Sequence, residues 1–226
     1  MDKEVDGILV AAHELKAPLA VLRQLAFSLD EMSLTNEHIR AEMISVSERA
    51  IRQVNDLSKV RRLEDGLFEM EPVAIRAVCD EVTDELNHLF VGEKKGLIVR
   101  YTNKARLVSA NRELLRSVIY NFLINAMHYA DKKTKAELLV KDHHDKVKVV
   151  IRDFGPELPW EIRQEMKQGW ISKPTSIAMR PGSSGLGLFI ASKFSKYMNA
   201  EVGAVRHRDG TSFFVELPIS KQASLF

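Results

Sequence analysis

The spacing of apolar residues changes character near residue 60, and that change divides the chain. Ile8, Ala12, Leu15, Leu19, Leu22, Ala26 and Leu29 step by four and three, the seam of a helix that packs lengthwise on another. Ser33-Leu34-Thr35-Asn36 interrupts the seam, and Thr35 or Asn36 can cap a new helix. Ile39, Met43, Val46, Ala50, Leu57 and Val60 then resume it, while Ile44, Ile51 and Val54 widen the face. Two helices with faces that broad cannot bury them in a single hairpin. A second copy solves the problem, which predicts a homodimer built on a four-helix bundle.

Arg61 to Pro72 is charged and contains the breaker Asp65-Gly66. The predicted division is a helical domain over 1–64, a linker over 65–72 and a second domain over 73–226. In that domain the pattern predicts a helix near 73–90, strands near 97–101 and 106–109, and a helix near 111–130. A strand pair near 135–142 and 146–153 follows, then a loop, a helix near 185–198 and strands near 201–206 and 211–217. Helices mixed with hairpin strands indicate an α/β sandwich, its antiparallel-rich sheet covered by helices on one face. The predicted fold class is therefore an α-helical hairpin followed by an α/β sandwich.

Composition narrows the function by exclusion. The 226 residues carry a net charge of only +2, which gives nucleic-acid binding no support. The single cysteine, Cys79, has no disulfide or zinc partner and is expected to be a small buried side chain in a reducing, cytoplasmic compartment. There is no run of 18 apolar residues, and the acidic start is unlike a signal peptide. This segment is expected to make no membrane contact, which is compatible with the cytoplasmic part of a membrane-anchored sensor. His143 and His144 fall at a hairpin turn and are expected to be solvated rather than metal-bound.

Four short segments carry the chemistry. The first is His13-Glu14-Leu15-Lys16-Ala17-Pro18. His13 lies one position past the seam residue Ala12, so its ring points outward, as an ordinary surface histidine or as a nucleophile. Glu14 can orient one imidazole nitrogen or take its proton, freeing the other to attack. Pro18 removes the amide that would bond the carbonyl of Glu14 and bends the helix there, at about 3 kcal/mol by propensity. Asn121 and Asn125 share one helix face, either as a solvated polar stripe or as carbonyl ligands for Mg²⁺ bridging phosphates. Asp153 ends the apolar strand Val147 to Ile151 and enters Phe154-Gly155. It is either a plain strand terminus or an acceptor for the amino group of adenine, with Gly155 letting the backbone approach the ring. Gly182-Ser183-Ser184-Gly185-Leu186-Gly187 opens a helical run, where amides can crowd around phosphate oxygens.

In this order the four segments resemble the H, N, G1 and G2 boxes of the sensor histidine kinases of two-component signalling, over roughly residues 5 to 218. The resemblance implies a phosphoacceptor at His13 with Glu14 as its base, and ATP with Mg²⁺ as cofactors. It places Asn125, with Asn121, at the metal, and His128 and Tyr129 in the same box, His128 standing where the family usually has lysine. It assigns Asp153 and Gly155 to adenine, and Gly182, Gly185, Leu186 and Gly187 to the phosphates. The stretch between Gly155 and Gly182 becomes a lid, with Trp170 and Ile171 near its anchor and Lys173 and Arg180 as candidate phosphate contacts. The implied partner is the receiver domain of a response regulator, whose aspartate takes the phosphoryl group. Ala17 replaces the Thr or Asn that many members use in receiver dephosphorylation, which implies weak phosphatase activity. Glu157 replaces a second glycine, so the loop after Asp153 turns differently. The alternative is a dimeric scaffold that binds nucleotide or receivers without turnover.

Overall fold

The computed structural model describes residues 18–27, 29, 36–102, 106–129, 134–155, 164 and 186–221. His13, Glu14, Gly182, Gly185, the expected lid and the side chain of Tyr129 lie outside the described residues. Helix α1 covers residues 18–27 and α2 runs Asn36–Arg62. No described helix is long and apolar enough to cross a membrane.

A turn over 63–66, with Gly66 at φ 66°, leads into a segment that is seated rather than free. Phe68 is buried and meets the Tyr197 ring edge-on at 6.1 Å, and the Tyr197 hydroxyl donates to the Phe68 carbonyl at 3.0 Å. Asn111 Nδ2 donates to the Glu69 carbonyl at 2.9 Å. The expected helix near 73–90 begins later than the periodicity suggests. Residues Glu71–Ala74 form β1, paired antiparallel with β3 (Leu107–Ala110), and helix α3 occupies Ile75–Gly92. Pairing of Val73 with Val108 and of Ala74 with Leu107 holds these residues extended, and Pro72 is tolerated in so short a strand at the sheet edge.

The main sheet has the order β2-β4-β5-β7-β6, from Gly96–Tyr101, Lys135–His143, Lys146–Asp153, Gly210–Pro218 and Glu201–His207. Only β2 and β4 run parallel; the other pairs are antiparallel. Alternation sorts its faces. Val147, Val149 and Ile151 of β5 and Phe213, Val215 and Leu217 of β7 point into the core. Over them lie α3, α4 (Arg112–Tyr129) and α5 (Leu186–Tyr197), contributing Leu86 and Phe90, Ile119 and Phe122, and Phe194. Phe122 stacks on Phe213 with ring centroids 5.6 Å apart. Each such side chain is worth about 1.5–3 kcal/mol on burial. Cys79 is fully buried on α3, and burial raises its thiol pKa far above the ordinary range. His144 sits in the β4–β5 turn at φ 55°, and His143 Nδ1 lies 3.3 Å from Glu216.

Helix α2 divides its seam. Leu57 and Val60 pack against the core of the second domain, and Val46 and Ala50 are buried. Ile44 and Ile51 remain more than half exposed, at 59% and 58%. The heptad spacing thus serves two surfaces, with one part of α2 packed on α5 and tied to α4 by long side chains. The contacts with α4 run antiparallel and are mostly polar. Lys59 Nζ lies 3.0 Å from Glu113 Oε1, and Ser117 donates its hydroxyl to Asp56 Oδ1 at 2.9 Å. Arg52 stacks 4.0 Å over the Tyr120 ring, and Arg49 Nη1 reaches His128 Nε2 at 2.9 Å.

Candidate nucleotide site

Asn121, Asn125 and His128 recur at i, i+4 and i+7 on α4, so one face presents all three. The last turn of that helix is held by the buried Lys95, whose Nζ donates to the Met127 carbonyl at 2.5 Å. Asn121 turns its amide nitrogen back to the Ser117 carbonyl at 2.9 Å. Its oxygen lies against the first turn of α5, where a Cβ added to Gly187 would stand 2.8 Å from Oδ1. Glycine at 187 is therefore what lets the α5 backbone press onto the Asn121 side chain. Leu186 beside it is fully buried and anchors the helix start. Asn125 Nδ2 is buried and has no hydrogen-bond partner among the described residues. Buried amides are seldom left unpaired, so this one has unused bonding capacity facing the site.

Asp153 closes β5 with only 2% exposure. Its Oδ1 accepts two backbone amides, from Gly155 at 3.2 Å and Thr211 at 3.3 Å, which fixes the carboxylate plane. Burial raises its pKa from 3.8 to about 6, against the lowering effect of those amides and of Arg152. The hairpin between β6 and β7 supplies the close approach: a Cβ on Gly210 would fall 2.0 Å from the Asp153 carbonyl oxygen. Helix α4 packs on both β5 and α5, so the Asn face, the Asp153 strand and the Gly187 turn share one support.

These residues suit a magnesium nucleotide. A buried carboxylate fixed by amides provides a base acceptor, and the glycine at 187 in the first turn of α5 permits a close phosphate approach. The carbonyl oxygen of Asn125 would be the metal ligand, while its unpaired Nδ2 is a donor left for an acceptor oxygen of the nucleotide or its waters. Arg49 was not among the residues singled out from sequence. Seventy-nine positions separate it from His128, and nothing local marks an arginine on a heptad helix as a partner of the second domain.

Residues 110–221 match the family model described as histidine kinase-, DNA gyrase B- and HSP90-like ATPase. Proteins similar to the chain include sensor histidine kinases. The chain is 28% identical over 214 residues to the probable sensor histidine kinase TcrY of Mycobacterium tuberculosis, covering 92% of this chain and 44% of TcrY. Its fold is that of solved histidine kinases. Acinetobacter baumannii AdeS superposes with a TM-score of 0.66 at 17% identity, over 92% of this chain and 98% of AdeS. The kinase ThkA, solved in complex with the response regulator protein TrrA, gives 0.63 at 18% identity, over 92% of this chain and 60% of that one. The chain spans less than half the length of TcrY.

Proposed function

We propose that this chain is the core of a histidine autokinase that passes its phosphoryl group to a response regulator. The observation that carries this is the Asn121–Gly187 contact beside the unpaired Asn125 amide, on the domain whose family binds ATP. Asp153 would accept the adenine amino group, with Gly155 beneath the ring. Backbone amides of the 182–187 turn would receive the phosphates. Asn125, braced by Asn121, would hold magnesium, which when bound offsets charge on the phosphate oxygens. The His13 imidazole attacks the γ-phosphorus in line, the bond to the bridging oxygen breaks, and ADP leaves. Glu14 takes the proton from the other ring nitrogen. An aspartate of a receiver domain then attacks the phosphohistidine, and the ThkA complex with TrrA supports that class of partner.

The domain division at 1–64, 65–72 and 73–226 goes with this proposal, as does dimerisation. Ile44, Ile51 and Val54 on α2 and Leu19 and Phe27 on α1 are exposed apolar residues, the kind of surface a four-helix bundle covers. Ala17 makes the chain a poor receiver phosphatase, and the expected setting is cytoplasmic. Incubation with γ-labelled ATP and magnesium tests the proposal. Acid-labile label that disappears in His13→Ala and in Asn125→Ala is expected; unlabelled wild type would leave the scaffold in its place.

A further inference from the structure

Among the described residues, a cation reaches the Asn121–Asn125–His128 face from outside the ATP-binding domain. A guanidinium can only donate, so in the 2.9 Å contact from Arg49 Nη1 the His128 Nε2 must accept. The imidazole bonded this way carries its proton on Nδ1 and is neutral. His128 therefore brings no positive charge to the position where the family usually has lysine, and Arg49 brings one. The other charges of the interface are committed elsewhere. Glu85 is taken by Arg52 and Arg116, and Asp56 and Glu113 are taken by Lys59. Arg49 makes no ion pair among the described residues, although it is half-buried, and desolvation lowers its pKa. A partly dehydrated cation without a carboxylate favours an incoming anion.

We infer that Arg49 is a phosphate-binding residue of the nucleotide site, supplied from α2 across the α2–α4 contact, so that the site is complete only while α2 is docked. The inference rests on the ATP-binding reading given above. It makes nucleotide affinity sensitive to the position of the helical segment, through one side chain.

The test is titration of the full 226-residue chain with ATP and magnesium by calorimetry, in wild type, Arg49→Ala, Arg49→Lys and the double variant Arg49→Ala/His128→Lys. Circular dichroism would confirm that each is folded. Arg49→Ala is expected to weaken binding about tenfold or more, the loss typical of a charge-assisted bond, with Arg49→Lys intermediate. A lysine at 128 restores affinity in the double variant, because it returns a cation to the same place without rebuilding the contact to α2. Unchanged affinity in Arg49→Ala overturns the inference. So does a loss that lysine at 128 fails to rescue, which would mean a docking contact only, or a rise in affinity, which would mean a shield over the site. Wild type that binds no ATP sinks the nucleotide reading itself, a result distinct from these.

Discussion

Ser117 donates its hydroxyl to Asp56 at 2.9 Å, and with both side chains buried the bond ties the helical segment to the helix that carries Asn121 and Asn125. Lys59, one turn along α2, shares the same Asp56 oxygen at 3.2 Å and itself reaches Glu113 of α4 at 3.0 Å, so the two side chains together tie α2 to α4. Asp56→Ala leaves the Ser117 hydroxyl and the Lys59 ammonium without that partner. Unpairing buried polar groups costs about 1–3 kcal/mol. Hydrogen exchange is expected to show faster opening of α2 over 46–60, with the strands of the main sheet unchanged. Equal loosening across the sheet would mean that Asp56 is a general stability residue.

Gly187 and Asn121 should behave as a coupled pair. Gly187→Ala sets a methyl 2.8 Å from Asn121 Oδ1, and relieving such overpacking costs about 1–3 kcal/mol. The cost should fall in an Asn121→Ala background, where the obstructing oxygen is gone. A double-mutant cycle by chemical denaturation measures the difference; additive effects would place the clash elsewhere.

Asp153 is expected to make stability and nucleotide affinity respond to pH in opposite directions. Its pKa rises from 3.8 to about 6 in the folded protein, chiefly by burial. Between those values the folded state holds a proton that the unfolded chain has released, so stability falls as pH rises through that window. Affinity for the adenine amino group requires an acceptor oxygen and is expected to fall as pH drops through about 6. Asp153→Asn should flatten both profiles, read by melting temperature from about pH 4 to 8 and by ADP titration from about pH 5 to 8.

Gly210 presses on the backbone of the same residue. At φ 152°, with its missing Cβ directed 2.0 Å from the Asp153 carbonyl, it has no room for any side chain. Gly210→Ala is expected to lose more than about 1 kcal/mol and to weaken ADP binding, because the strain is relieved by moving Asp153. Full affinity in a stable Gly210→Ala protein would show that the carboxylate is not placed by this hairpin.

How much was legible beforehand differed from element to element. Alternation in Val147 to Ile151 and the i, i+4 pair Asn121 and Asn125 are local patterns, and the structure places them on a strand and on one helix face as expected. The strand at Glu71–Ala74 escaped notice because four residues beside a proline are shorter than any periodicity can register. Leu57 and Val60 read as bundle residues, yet they pack on the second domain. A heptad stripe reports that a face is apolar and not which surface will cover it.

Spacing and residue type thus determined where helices and strands form and which amides share a face, since these depend on neighbours within a turn or two. Only the tertiary structure decided that Arg49 meets His128, that Asp56 meets Ser117, and that Thr211 fixes Asp153. Those pairs are 79, 61 and 58 residues apart. Contacts at that separation are set by how whole faces pack, a global minimum of burial and polar satisfaction that no short window of sequence contains.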